Sequence, residues 1–179
     1  AGYIGNKAVG LNVTTGDILG DVGVGGDYSS KTSGTSNLRL GVNAGDSIAS
    51  GGNFNVVVGD EAGTAITTGD SNTAVGFEAL KTNTTAGQLT AVGAGAGKTA
   101  SSGGGTSTYI GYNAGTIATG ASNTMVGGGA GVLNVAGSSN TFLGTGAGGN
   151  VTSGDSNIMI GKDIDAASAT ADNQINIGG

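Results

Sequence analysis

Apolar and polar positions along the chain keep step with glycine. An aliphatic residue stands directly before a glycine at Leu40-Gly41, Val58-Gly59, Val75-Gly76, Val92-Gly93, Ile110-Gly111, Val126-Gly127, Leu143-Gly144, Ile160-Gly161 and Ile177-Gly178. Successive pairs follow at steps of 18, 17, 17, 18, 16, 17, 17 and 17. Self-similarity at a fixed period marks a repeat architecture. Looser copies occur at Ile4-Gly5 and Leu19-Gly20, and an irregular stretch separates Gly20 from Gly41. The chain therefore divides into irregular N-terminal coils at 1–33 and a regular repeat at 34–179.

Other positions hold the same register. Four residues before the glycine stands asparagine in six of nine copies: Asn37, Asn55, Asn72, Asn123, Asn140 and Asn157. Seven before it glycine recurs, and three after it alanine stands in seven of eight complete copies. The stretch Gly-Asp/Ser-Ser-Asn reads as a tight turn into a strand. Stacked asparagines are expected to bond from coil to coil. A period near 17 predicts one solenoid coil made of a strand, a turn, a shorter strand and a return. The fold class is thus all-β, a parallel β-solenoid or β-roll, with eleven copies making a rod of roughly 50 Å at ~4.8 Å per coil.

The main strand is apolar on both faces, and neighbouring strand residues point to opposite sides. The position before the glycine is assigned to the coil interior, giving a repeat core of Val75, Val92, Ile110, Val126, Leu143 and Ile160. The position two before it then needs another surface. Val57, Tyr109, Met125, Phe142 and Met159 become oligomer-interface candidates, with a second copy of the chain as the simplest partner. A cyclic homotrimer closes such an interface without open edges.

Composition narrows the chemistry. The chain has 40 glycines among 179 residues and no proline, cysteine, histidine or tryptophan. Proline's absence suits continuous ladders. Without His or Cys there is no Ser–His or Cys–His dyad, no disulfide and no usual zinc site. A net charge of −6 with six scattered Lys and Arg is a poor footprint for nucleic acid. No apolar run reaches a membrane span, so neither partner is expected. The stretch "AVGAGAGKTA" (Ala91–Ala100) ends like a phosphate-binding loop, but the first glycine of that motif would fall at Val92. Gly93, Ala96 and Gly97 are ordinary repeat residues, so no nucleotide or other cofactor is expected.

The segments "GDSNTAVGFEALKTNTTAG" (Gly69–Gly87), "GASNTMVGGGAG" (Gly120–Gly131) and "GSSNTFLGTGAG" (Gly137–Gly148) resemble the N-T-A-[IV]-G-x-x-A-L repeats of bacteriophage tail fibres. Those repeats are found upstream of endosialidase-type intramolecular chaperones, and "ADNQINIGG" (Ala171–Gly179) is similar to the segment preceding one. The heads of trimeric autotransporter adhesins have a similar pattern. The resemblance covers roughly 33–179 and implies a trimeric, non-enzymatic shaft or receptor-contacting segment. It implies a virion location outside the cell, or a bacterial surface in the adhesin case. Both ends fall within a repeat, as expected of a piece of a longer fibre. The implied partners are the chain itself and a host cell-surface receptor, a glycan among the candidates.

Three rival chemistries have some footing in the sequence. Thr73, Thr90, Thr108, Thr124 and Thr141 form a file three residues before the glycine, as in ice-binding solenoids; the plainer expectation is an inner or edge position with satisfied hydroxyls. Asp60, Glu61, Glu78, Asp163 and Asp165, with Asp70, Asp155 and Asp172 at turns, raise a carboxylate-pair glycosidase such as a tailspike. Their regular placement reads instead as solvated or capping groups, and no catalytic residue is assigned. No metal site is assigned either, although Asp17, Asp21 and Asp27 could gather about an ion. Among the few aromatic residues, Tyr28 and Tyr112 are the receptor-contact candidates.

Overall fold

The structure is a computed structural model that describes residues 32–100 and 105–178. Tyr28, Asp17, Asp21 and Asp27, with nearly all of the N-terminal segment 1–33, lie outside the described residues. The rest is a parallel β-solenoid. Nine three-residue strands stack in chain order: β1 Leu38–Leu40, β2 Val56–Val58, β3 Thr73–Val75, β4 Thr90–Val92, β5 Thr108–Ile110, β6 Thr124–Val126, β7 Thr141–Leu143, β8 Ile158–Ile160 and β9 Ile175–Ile177. Every neighbouring pair is parallel and in register, as in Thr73↔Thr90 and Val75↔Val92. The spacing of the aliphatic–glycine pairs is the spacing of these rungs, so one period makes one coil.

The glycine ending each of the first eight strands turns the chain at φ near +130°. A Cβ at Gly76 would lie 2.6 Å from the carbonyl carbon and oxygen of Gly93 in the next coil. Glycine there is a requirement of close backbone approach. The expected second, shorter strand is instead a run of turns. Left-handed residues follow the corner, such as Glu61, Glu78 and Asn113 at φ near +55°, and interrupt any extended run. This side nonetheless carries its own axial ladder, with Gly63 N–H donating to Ala79 O at 2.8 Å, Thr67 N–H to Thr84 O at 2.8 Å and Gly131 N–H to Ala147 O at 2.9 Å.

The interior reverses the assignment of the two strand faces. Val57, Ala74, Ala91, Tyr109, Met125, Phe142 and Met159, two residues before the glycine, are fully buried within their own chain. They fill the coil and are not free to form an oligomer interface. The aliphatic file directly before the glycine points outward: Val92, Ile110 and Leu143 are exposed, and Val75, Val126 and Ile160 are half-buried. The physical reason is strand alternation anchored by asparagine. Asn55, Asn72, Asn123, Asn140 and Asn157 are buried, and the position two residues on from each must face the same way.

The enclosed volume is shared between coils. Where the inward strand residue is large, as in Tyr109, Met125 and Phe142, the residue four after the next corner is glycine (Gly115, Gly131, Gly148). A Cβ at Gly115 would lie 2.5 Å from Tyr109 Cε1. Where the strand supplies only Ala74 and Ala91, Leu80 and Leu89 fill the space and are fully buried. Interiors packed to crystal-like density demand such compensation.

Asparagine does more than stack. The Asn72 side-chain oxygen accepts from Leu89 N–H at 3.0 Å, and its Nδ2 donates to Ala86 O at 3.0 Å. Asn55, Asn123, Asn140 and Asn157 repeat both bonds, each accepting from the backbone of the following coil. The side chains therefore bond to backbone rather than to one another. Asn72→Ala leaves the buried Leu89 N–H without its partner, at about 1–3 kcal/mol, while Ala86 O keeps the bond from Asn83 Nδ2 at 3.0 Å. The expected loss is about 1–3 kcal/mol, read from urea midpoints at fixed protein concentration. Tyr109 offers the opposite case. Its hydroxyl is buried without a hydrogen-bond partner among the described residues, and burial raises its pKa, opposed in part by the neighbouring Ser107 hydroxyl. Tyr109→Phe should therefore leave the midpoint unchanged or raise stability by up to about 1 kcal/mol.

Candidate functional site

With the interior closed by the inward file, the positions one and three before the corner glycine form a single outward sheet face. Thirteen of its eighteen residues are Val, Ile or Leu. The face extends over eight inter-strand steps, or roughly 40 Å at ~4.8 Å each. A patch of several hundred Å² marks an interaction surface on a soluble chain. Thr73, Thr90, Thr108, Thr124 and Thr141 occupy the middle five rungs. They face outward, and none of their hydroxyls has a hydrogen bond among the described residues, whereas an inner or edge position with satisfied hydroxyls was expected. At both ends Leu38, Val56, Ile158 and Ile175 replace them.

Most of the carboxylates are engaged one by one. Glu61, Lys81, Glu78 and Lys98 form a charged file across successive coils. Lys81 Nζ pairs with Glu61 and lies 2.7 Å from Glu78 Oε1, while Lys98 Nζ lies 2.6 Å from Glu78 Oε2. Asp70, Asp155 and Asp172 cap turns, accepting from the backbone N–H of Asn53, Ser138 and Asp155 at 2.6, 2.7 and 2.8 Å. Asp165 accepts from Asn150 N–H at 3.2 Å, and Asp163 pairs with Lys162 on the surface. Asp60 stands exposed beside its corner glycine. Among the described residues no three His, Cys, Asp or Glu gather as a metal site.

Of the receptor-contact candidates, Tyr112 stands just beyond a corner glycine and is 68% exposed. Phe54 and Phe77 are also exposed, and neither stood out in the sequence as an outward aromatic. Phe54 occupies the turn position that is serine in Ser36, Ser71, Ser122, Ser139 and Ser156; that departure from its file was the available signal. Comparison with protein-family models, curated proteins and solved structures returns no match.

The charged file generates a pH dependence. Hydrogen bonds from Lys81 and Lys98 lower the pKa of Glu78. Hydrogen bonds to Glu61 and Glu78 raise that of Lys81 to about 12. A lowered carboxylate contributes stability above its unfolded pKa and loses it as pH falls through the folded value. A raised ammonium contributes below its unfolded pKa, 10.5, and loses it as pH climbs toward 12. Thermal midpoints should therefore hold a plateau between about pH 5 and 10 and fall on both sides. Glu78→Gln should flatten the acid limb, and added salt should shrink its contribution because the groups are solvent-facing.

Proposed function

We propose that this chain is a non-enzymatic, self-associating shaft segment of an extracellular attachment fibre, with the outward strand face as the contact between copies. The observation that carries the reading is the uninterrupted aliphatic file from Leu40 to Ile177 on that face. The coil interior is already filled, so this second apolar surface is available to another chain. Burying it yields about 25 cal/mol per Å². Three copies about one axis would cover all three faces without exposed remainder. Axial ladders then supply stiffness, and apolar files hold the chains together. A phage tail fibre is the favoured setting, on the repeat resemblance, with the virion as its location; a bacterial surface adhesin head uses the same mechanics. A polysaccharide-degrading tailspike has less support, since most of the carboxylates are engaged as caps and ion pairs.

A second reading rests on one specific observation. Five outward threonine hydroxyls without partners, at ladder spacing beside an aliphatic file, form an ordered amphiphilic array suited to binding ice. The aliphatic replacements at both ends favour burial against protein instead. Light scattering after size exclusion separates the two. A fibre segment gives a concentration-independent mass of three 16.7 kDa chains, and Val92→Asp with Ile110→Asp reduces it to one. A stable monomer in the unsubstituted chain overturns the self-association reading, and thermal hysteresis lost on Thr108→Lys would then establish the ice binder.

A further inference from the structure

Phe54 breaks its file in a way that packing does not explain. Ser36, Ser71, Ser122, Ser139 and Ser156 stand at the equivalent position, all with φ near +57°. Phe54 holds the same left-handed conformation at φ 57°, where a bulky side chain is an outlier. It is 62% exposed, so burial does not repay the strain. Strain retained at a position that serine occupies elsewhere points to a use for the ring.

A groove of about 420 Å³ lies beside it, lined by Phe54, Thr68, Asp70, Ser71, Thr85, Gly87 and Gln88. Three files cross it. Phe54, Ser71 and Gln88 follow one another on successive coils, as do Asp70 and Gly87, and Thr68 and Thr85. Gln88 also departs from serine, at φ 62°. Gly87 follows Asp70 on its file, where a Cβ would lie 2.7 Å from Asp70 O, and it adds no side chain to the groove. The hydroxyls of Thr68, Ser71 and Thr85 and the Gln88 amide make no hydrogen bond among the described residues. Asp70 uses Oδ1 for the Asn53 N–H, which leaves Oδ2 open.

The geometry points to a carbohydrate subsite that takes a neutral hexopyranose, such as the terminal residue of a glycan. A pyranose has an apolar C–H face and a rim of hydroxyls. The Phe54 ring supplies the platform for the first. The Thr68, Ser71 and Thr85 hydroxyls, the Gln88 amide and Asp70 Oδ2 supply donors and acceptors for the second. Phe54 and Gln88 sit two coils apart, about 10 Å, which leaves room for one or two rings. Asp70 and the net charge of −6 disfavour phosphorylated or otherwise anionic ligands. The subsite deepens the attachment part of the fibre reading, on which it rests, but is independent of how many chains associate.

Saturation-transfer NMR on the full chain tests it, with the methyl glycosides of glucose, galactose, mannose and N-acetylglucosamine as probes. At least one should receive transfer on its ring C–H protons, with Kd on the order of millimolar. Phe54→Ser restores the residue the file uses elsewhere, so the variant should fold at least as well. It should weaken binding at least tenfold, and Gln88→Ser severalfold, while Phe77→Ser, at an exposed ring outside the groove, leaves it unchanged. The subsite is overturned if none of the four sugars binds, if Phe54→Ser binds as before, or if the loss follows Phe77→Ser instead. Scattering mass measured on the same variants keeps this outcome separate from self-association, since Phe54 lies off the outward strand face.

Discussion

A coil this short closes only its tight turns with its own backbone, so most of its hydrogen bonds run along the axis to the coil above or below. Each rung is thereby bound to the register of its neighbours. In the described coils the strand gives one axial ladder, the turn side a second, and the buried asparagines a third between them. An unpaired buried amide or carbonyl costs far more than a made bond returns. Insertions are therefore absorbed away from the strand: the step from Gly93 to Gly111 is one longer than that from Gly76 to Gly93, yet Thr90 still pairs with Thr108. Corner glycine follows from the same constraint, because coils stacked at hydrogen-bonding distance leave no space for a Cβ where two corners meet.

Within that frame the interior behaves as one enclosed volume shared along the rod. Large residues are not distributed evenly; Ala74 and Ala91 sit beside Leu80 and Leu89, while Tyr109 and Phe142 sit beside glycines. Leu80 accepts a left-handed backbone, φ 50°, at a position where other coils use glycine. Its full burial offsets a conformational cost of about 1–2 kcal/mol. The strain at Leu80 is thus structural, whereas that at Phe54 has no burial to offset it.

The period, the nine strands, the corner glycines and the asparagine file were all legible in the sequence, because each reflects a requirement repeated from coil to coil; that the asparagines are buried was not. The choice of inward face was not, since both files are apolar and hydropathy does not distinguish them. Two signals would have decided it. Asparagine four before the glycine shares parity with the residue two before it, and a buried amide fixes that side as interior. The inward file also ranges from Ala74 to Phe142 with matching changes elsewhere, as a closed space demands, while the outward file stays uniformly Val, Ile or Leu. The left-handed turns that replace the second strand were only partly visible, because Glu61 and Glu78 are poor indicators of that conformation. Tyr112 was legible as an outward aromatic; Phe54 required the comparison of files.

A repeat supplies its own standard against which each departure is judged. Leu80 and Leu89 depart together, face inward and compensate for small neighbours, so packing accounts for them. Ser107 replaces asparagine and still accepts the Asn123 N–H at 3.0 Å, so the ladder accounts for it. Phe54 and Gln88 depart on the surface, at left-handed backbone, and packing accounts for neither. The outward aliphatic file is the complementary case: from Leu40 to Ile177 it stays Val, Ile or Leu over nine rungs, and uniformity there has no source within a single chain whose interior is already full. A uniform outer file and a local outer irregularity thus make different demands, the first for a partner that repeats as the chain does, the second for a ligand that binds at one place.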